Sequence, residues 1–551
     1  MKRASAIIIC LAMCTALIAA CAPAQTPAVD APVPGAPGTV TPTPTPPQAP
    51  VVAVLPPAAE VPGGGRIAEH MDIIIDNSPI AILNPFLPAG GVTPNQWAYN
   101  LMYDRLLYPA IQPDGNVVIE PYLATRWETD DYQTFTFWLR DDVYFHNGDR
   151  FTANDVLWTI STAHDSVGSP AFNVWRNVAE AYAIDDTTLR LVLASVNVDF
   201  PFLLTTGWSG IVNERAMTED PDFGVHIGTG AFIVAGFETN NYAHFVRNEN
   251  YWGRMPYTQS MTLRFIPEPG ARAMMLLNGE VQMCFRLADE DMALFVGNPD
   301  FNVFAFPMMT PNIIGFNMAD PLMSCWYFRM AVRSALYLPD IAYGAAGDFG
   351  APYHGGTLWG FDAQFRNDDI PQVPFDLERA RHYLELSAYN GEEIEIATAL
   401  AAAIRASEIV QMQLGRIGIN ARVNQMDNPS LVLYTQYGNN QSQIVVMGMV
   451  WGTPLASSIR DILFPGGSRN NTSFNNPVIT DMIERAAATV DIGEREELYM
   501  EIQRLVAEDP PAFGIMWRYN SIVSVRGVGG LTIQTDTNYD LRWLFWQIDE
   551  D

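Results

Sequence analysis

Two hydrophobic rhythms alternate along this chain, and together they set its class of fold. Ile73-Ile74-Ile75 is a short continuous apolar run ahead of the turn-rich Asn84-Pro85, the pattern of a buried strand. Phe135-Thr136-Phe137-Trp138-Leu139 is dense in aromatic residues and reads as a second strand, and Thr188 to Leu193 alternates as a third. Asn147-Gly148 is a tight-turn dipeptide. Between these the period changes. Thr152 can cap a helix running to Ala163, in which Val156, Thr159 and Ile160 recur at helical spacing. Farther on, Ala403, Ala406, Val410, Leu414 and Ile417 advance in steps of three and four until Gly418 stops the helix and Ile419 opens a strand. Ile479, Met482, Ile483, Ala486 and Val490 make another apolar stripe. Leu498, Ile502, Leu505 and Val506 make one more, ended by Pro510-Pro511. Strands alternating with amphipathic helices predict an α/β architecture, and the stripes themselves read as core packing.

The first residues follow a different rule. Lys2 and Arg3 precede an apolar run from Ile7 to Leu17, too short for a stable membrane span, and small residues then lead into Cys21. This is a secretory signal, and its ending resembles a bacterial lipoprotein signal, which implies lipidation of Cys21. From Ala22 to Glu60 the chain is dominated by Pro, Ala, Thr and Val, with Asp30 and Glu60 as its only charges. Such a segment cannot bury enough apolar surface to offset its ordering entropy, and its prolines favour an extended form. A lipid-held body on a tether is the expectation, attached to the outer face of the cell membrane or lying in the periplasm.

Composition narrows the chemistry. The 551 residues are 48% hydrophobic, enough for more than one core, and the net charge is -30, so nucleic-acid phosphates would be repelled. Lys2 is the only lysine, which excludes Schiff-base chemistry and any lysine-dependent phosphate loop from the mature chain. Every later cation is arginine, suited to planar recognition of carboxylates. No Gly-x-Ser-x-Gly elbow is present, since Gly207-Trp208-Ser209-Gly210 misses the spacing, and there is no His-Glu-x-x-His pair. The seven histidines are scattered, so no local metal site is visible. Asp130-Asp131, Asp141-Asp142 and Asp185-Asp186 read as solvated turns. No enzyme, cofactor or metal site is expected. Once the signal is removed and Cys21 lipidated, Cys284 and Cys325 remain, either as two isolated buried thiols or as a disulfide.

A series of blocks then points to one family. Leu123-Ala124-Thr125-Arg126-Trp127 leads to Thr134-Phe135-Thr136-Phe137, then Leu139-Arg140, Phe145-His146-Asn147-Gly148 and Thr152-Ala153-Asn154-Asp155-Val156. Gly228-Thr229-Gly230, Asn248 with Tyr251-Trp252, Leu277-Asn278-Gly279-Glu280, Arg333-Ser334-Ala335-Leu336, Gly418-Ile419, Asn476-Pro477, Asp481 and Asp509-Pro510 follow in order. The set resembles the family 5 extracellular solute-binding proteins, receptors of peptide and nickel ABC importers. The resemblance implies a periplasmic-binding-protein type II-like, two-lobed clamp with an extra subdomain. It places the signal at 1–20 and the lipidated cysteine and tether at 21–65. Lobe I is drawn from 66–104, 191–265 and 511–551, the extra subdomain from 105–190 and lobe III from 266–510, with hinge crossings near 265 and 510. Trp127, Phe137 and Asp155 fall in the extra subdomain and are expected to be structural.

The resemblance also implies partners: a peptide ligand, or an oligosaccharide or nickel chelate; a separate permease and ATPase; and the membrane, through the lipid. The receptor is expected to be a monomer. A lipid-anchored sensor and a secreted enzyme are the competing classes. Peptide-binding members carry a Trp-x-x-Asp-type motif whose carboxylate meets the peptide ammonium. Here the stretch is Trp451-Gly452-Thr453-Pro454, with proline in the aspartate's place, so another acid such as Asp461 substitutes or the ligand has no free amine. Trp451, Gly452 and Thr453 are the expected ligand contacts, with Asn317, Tyr353 and Trp359 bordering the cleft. Arg329 and Arg333 are further candidates for a ligand carboxylate, with a structural role expected for Arg333.

Overall fold

One strand, Ala512–Val525, joins the two halves of the molecule. The computed structural model describes residues 66–548, apart from 76–79, 81, 92, 112–116, 308–310, 357, 359–363, 450–455, 468 and 534–538. The signal, Cys21 and the tether lie outside the described residues. The long strand begins antiparallel to Asn312–Phe316 and Gly350–Pro352. From Tyr519 onward it pairs instead with Phe301–Pro307 and Met283–Phe285.

Each half is built on its own part of one twelve-stranded sheet. On one side Asn312–Phe316 is followed by Ile444–Gly448, Ile394–Thr398 and Ala421–Gln425, the last three mutually parallel. On the other side Met283–Phe285 is followed by His70–Ile74, Ser260–Arg264, Tyr242–Arg247 and Phe232–Glu238. Counted by pairing, the chain passes between halves after Pro307 and again within the long strand near Arg518. These crossings differ from the expected 265 and 510, because Met283–Phe285 and Phe301–Pro307 pair within the first half's sheet. A separate four-stranded antiparallel sheet, ordered Ala124–Glu128, Thr134–Leu139, Thr188–Leu193 and Val178–Asp185, packs its buried face on the core of the first half.

The predicted elements appear with small shifts. Ile73, Ile74 and Ile75 are fully buried, with the strand spanning His70–Ile74. The helix expected from Thr152 spans Ala153–Asp165, and the Asp155 carboxylate accepts from the Thr152 amide at 2.9 Å in a capping box. Asp155 therefore serves the helix end. The 403–417 stripe lies on Ala401–Gly415, and Gly418, at φ 93°, supplies the left-handed turn that ends it. The following strand starts at Ala421 rather than Ile419. The last two stripes lie on Pro477–Ala488 and Ile492–Glu508. They belong to a core separate from that of the Ala401–Gly415 helix, so the second half carries helices against two faces of its sheet. Cys284 and Cys325 are free and buried, which settles the choice in favour of isolated thiols, and burial pushes the Cys284 thiol up to about 12.

His146, beyond the Thr134–Leu139 strand of the four-stranded sheet, is fastened to the segment ahead of Phe232–Glu238. Its Nδ1 accepts from the Gly228 amide at 3.3 Å and its Nε2 faces the Gly230 carbonyl at 2.9 Å, so the neutral ring with the proton on Nε2 satisfies both. Burial holds its pKa below the ordinary value. The folded-state pKa thus lies under the unfolded one. Stability from this group is present above about pH 6.5 and is lost as pH falls below it. Urea unfolding from pH 7.5 to 5.5 is expected to show a decline that is shallower in His146→Gln.

Candidate ligand-binding site at the junction of the two halves

The junction is held by charge pairs drawn from distant parts of the sequence. Arg495 on Ile492–Glu508 donates from Nη2 to Asp199 Oδ1 at 2.8 Å, and both side chains are less than a tenth exposed. Asp199 caps the Phe200–Leu203 turn, whose Phe200 packs in the core of the first half. Arg495 lies on a helix of the second half and also donates from Nε to the Ala486 carbonyl. The pair therefore ties one core to the other.

A second group stands at the crossing itself. Asp289, just beyond Met283–Phe285, lies 3.5 Å from Arg405 of the Ala401–Gly415 helix and 3.7 Å from Arg518 of the long strand. Burial pushes the Asp289 carboxyl up from its usual range, and the two guanidinium groups only partly oppose this. All three side chains keep some contact with solvent.

The expected ligand contacts fall into three groups. Gly448, the last residue of Ile444–Gly448, lies opposite Asn312, which in turn lies opposite Met516. Trp451, Gly452 and Thr453 follow this strand end, and they and Trp359 lie outside the described residues. Tyr353 is 2% exposed, with its ring stacked 4.7 Å from that of Trp517 and packed over Gly514, where a Cβ would fall 2.4 Å from the tyrosine ring. Asn317 has a structural task. Its amide donates to the Asn440 and Ser442 carbonyls and its Oδ1 accepts from the Ala319 amide, which fixes the loop ahead of the Ile444–Gly448 strand. Arg329 is likewise committed, to the Pro510 and Met323 carbonyls and to Asp509. Sequence reasoning missed Asp199, Arg495, Asp289, Arg405 and Arg518. No local motif marks them, because each partner comes from a different segment.

Two sheet halves sharing one continuous strand, with a third small sheet on one of them, define the two-lobed clamp of periplasmic binding proteins. The chain belongs to the bacterial extracellular solute-binding proteins, family 5, whose middle-region model matches residues 118–471. The nickel-binding periplasmic protein of Escherichia coli K12 is 25% identical over 482 residues, covering 82% of this chain and 89% of that protein. The glutathione-binding protein GsiB of Shigella flexneri serotype 5b is 23% identical over 445 residues, covering 78% and 85%. In fold, the chain is similar to the ABC transporter substrate-binding protein CtaP of Listeria monocytogenes. The TM-score is 0.76 at 20% identity, with 87% of this chain and 99% of that one covered. Family membership makes this an extracytoplasmic solute-binding protein of an ABC importer.

Proposed function

We propose that this protein captures a peptide or similar organic solute between its two lobes, closes on it, and presents the closed form to a membrane permease served by a separate ATPase. In this reading the lobes are the sequence-based segments with the crossings taken after Pro307 and within the long strand. The protein makes and breaks no covalent bond and acts as a monomer. The observation that carries the reading is the single strand Ala512–Val525 shared by two sheet halves whose cores are also bridged by Asp199–Arg495. Two bodies on one shared strand can rotate about it, and a solute touching both stabilises the closed arrangement by differential contact. A relative named for glutathione supports a peptide-like solute, and one named for nickel supports a nickel chelate as an alternative. Pro454 in place of the motif's aspartate favours solutes whose amine is absent or met elsewhere.

A thermal-shift screen against peptides, N-acetylated peptides, oligosaccharides and nickel–histidine identifies the class. Small-angle scattering with the best hit then tests closure. An unchanged outline at saturation rules the clamp reading out. Trp451, Gly452 and Thr453, directly after a strand end at the junction, are the proposed ligand contacts. Trp451→Ala is expected to weaken binding of that hit roughly 10–100-fold, the scale of losing a large aromatic contact of about 1.5–3 kcal/mol. Its melting temperature should move little.

The lipoprotein-type signal completes the proposal: Cys21 carries the lipid, and the proline-rich stretch holds the clamp off the membrane. Cys21→Ala is expected to move the protein from the membrane fraction to the soluble one. Full retention in membranes would exclude lipid at this residue.

A further inference from the structure

Two arginines four residues apart on the Trp326–Ala335 helix have opposite surroundings. Arg329 is bonded through Nε, Nη1 and Nη2 to two carbonyls and a carboxylate. Arg333 is 8% exposed, and its side chain makes no hydrogen bond or ion pair with any described residue. Its guanidinium carbon lies 5.6 Å from the centre of the Phe513 ring. Burial pulls the Arg333 pKa down to about 10, opposed only by the neighbouring Tyr353.

The side chain lines a cavity of about 20 Å³ whose other walls include Tyr353, Gly355, Gly356, Gln372 and Phe513, and among the described residues none that lines it is acidic. That volume holds roughly one or two water-sized groups. The walls are rigidly made. Gln372 Nε2 donates to the Tyr353 carbonyl at 2.8 Å, and Gly356 donates its amide to the Ile370 carbonyl at 2.9 Å. A Cβ at Gly356 would lie 2.4 Å from the Pro371 carbonyl oxygen. The Gln372 amide keeps a second N–H beyond the one given to Tyr353. A full positive charge in a preformed hollow with neutral walls is costly unless an anion completes it.

We propose that the Arg333 cavity is a binding site for one small monoanion, the size of a halide or a single carboxylate group, seated on the guanidinium with Gln372 at its mouth. Arginine suits this task because its planar fork stays charged and presents several donors to one anion. Filled, the site links the Trp326–Ala335 helix to the 353–356 segment that follows Gly350–Pro352, the strand lying against Ala512–Val525. This is a different place from the Asp199–Arg495 and Asp289–Arg518 contacts, and the proposal stands whether or not the clamp closes on a peptide.

The test uses the whole mature chain at constant ionic strength in sodium gluconate, whose anion is too large for the cavity. Sodium chloride and sodium formate are added separately. At tenfold excess over the dissociation constant, a chain of this size is expected to gain about 1–2 °C in melting temperature. Equal gains with both salts identify an inorganic-anion site. A gain with formate alone identifies one for the carboxylate of an organic solute. Arg333→Met should fold, since it replaces an unpaired buried charge with an apolar chain of similar length, and should lose the difference between anions. A crystal soaked in sodium bromide locates the halide directly through its anomalous signal beside Arg333. Identical melting curves of the native chain in gluconate, chloride and formate would overturn the proposal, as would an anion response that survives Arg333→Met.

Discussion

Arg542→Met is expected to lower the unfolding free energy by about 3–5 kcal/mol, the cost of leaving buried charge without its partner. Arg542 is 1% exposed and forks onto Asp540, donating from Nε to Oδ1 at 2.9 Å and from Nη2 to Oδ2 at 2.6 Å. Its Nη1 also meets the Tyr122 hydroxyl and lies 3.7 Å from Asp104, which is fully buried. Asp104 in turn accepts from Trp252 Nε1 at 2.8 Å and from the Thr229 hydroxyl at 3.1 Å. This group joins the chain's last strands to the Asp104–Tyr122 segment and to the Gly228–Trp252 region, so its loss loosens three segments together.

The signs of the carboxyl shifts extend the prediction. Burial raises the Asp540 pKa, but Arg542 and its hydrogen bonds outweigh that, and the net shift is downward. Burial also raises Asp104, which stays above its usual value despite Arg542. Without the guanidinium both carboxyls bind protons more readily in the folded chain than in the unfolded one. The destabilisation in Arg542→Met should therefore shrink as pH falls from 8 towards 5. Adding Asp540→Asn should recover part of the loss. Urea unfolding of the single and double variants measures both effects. A loss under about 1 kcal/mol in the single variant would show that water reaches the site.

Asp199→Ala is expected to open the clamp. Its carboxylate is the buried partner of Arg495 across the two cores. Removing it strands a guanidinium that is only 8% exposed, at a cost of about 3–5 kcal/mol. Parting of the lobes returns that guanidinium to water, so the penalty falls on the closed form. A change of about 4 kcal/mol shifts the closed-to-open ratio roughly a thousandfold. At a solute concentration that closes the native protein, scattering should give a larger radius of gyration for Asp199→Ala, and solute affinity should fall. The double variant Asp199→Ala with Arg495→Met leaves neither charge stranded and should return most of the way to the native outline. If Asp199→Ala keeps the native radius, the pair is packing within one rigid body and does not control closure.

The local elements were legible because their signals are local. Thr152 wrote a helix start, Gly418 wrote a helix stop, and the aromatic run at Thr134–Leu139 wrote a strand. Strand pairing across the two halves shows where such signals end. Nothing near residue 265 says that Met283–Phe285 will lie beside His70–Ile74, because parallel pairing is decided by a partner about 210 residues away. Asn317 was expected to border the cleft, and its amide completes loop carbonyls that only folding brings near.

By itself, then, the order of residues determined the α/β class, the family and a set of cations that is arginine everywhere beyond Lys2. Each of these depends on short-range periodicity, composition or motif spacing. Tertiary structure alone decided which arginine of the Trp326–Ala335 helix would be fully bonded and which would face a hollow, and which acids would meet Arg495 and Arg542. Burial makes a charge costly or useful according to the neighbours delivered to it, and those neighbours come from segments that share no local pattern.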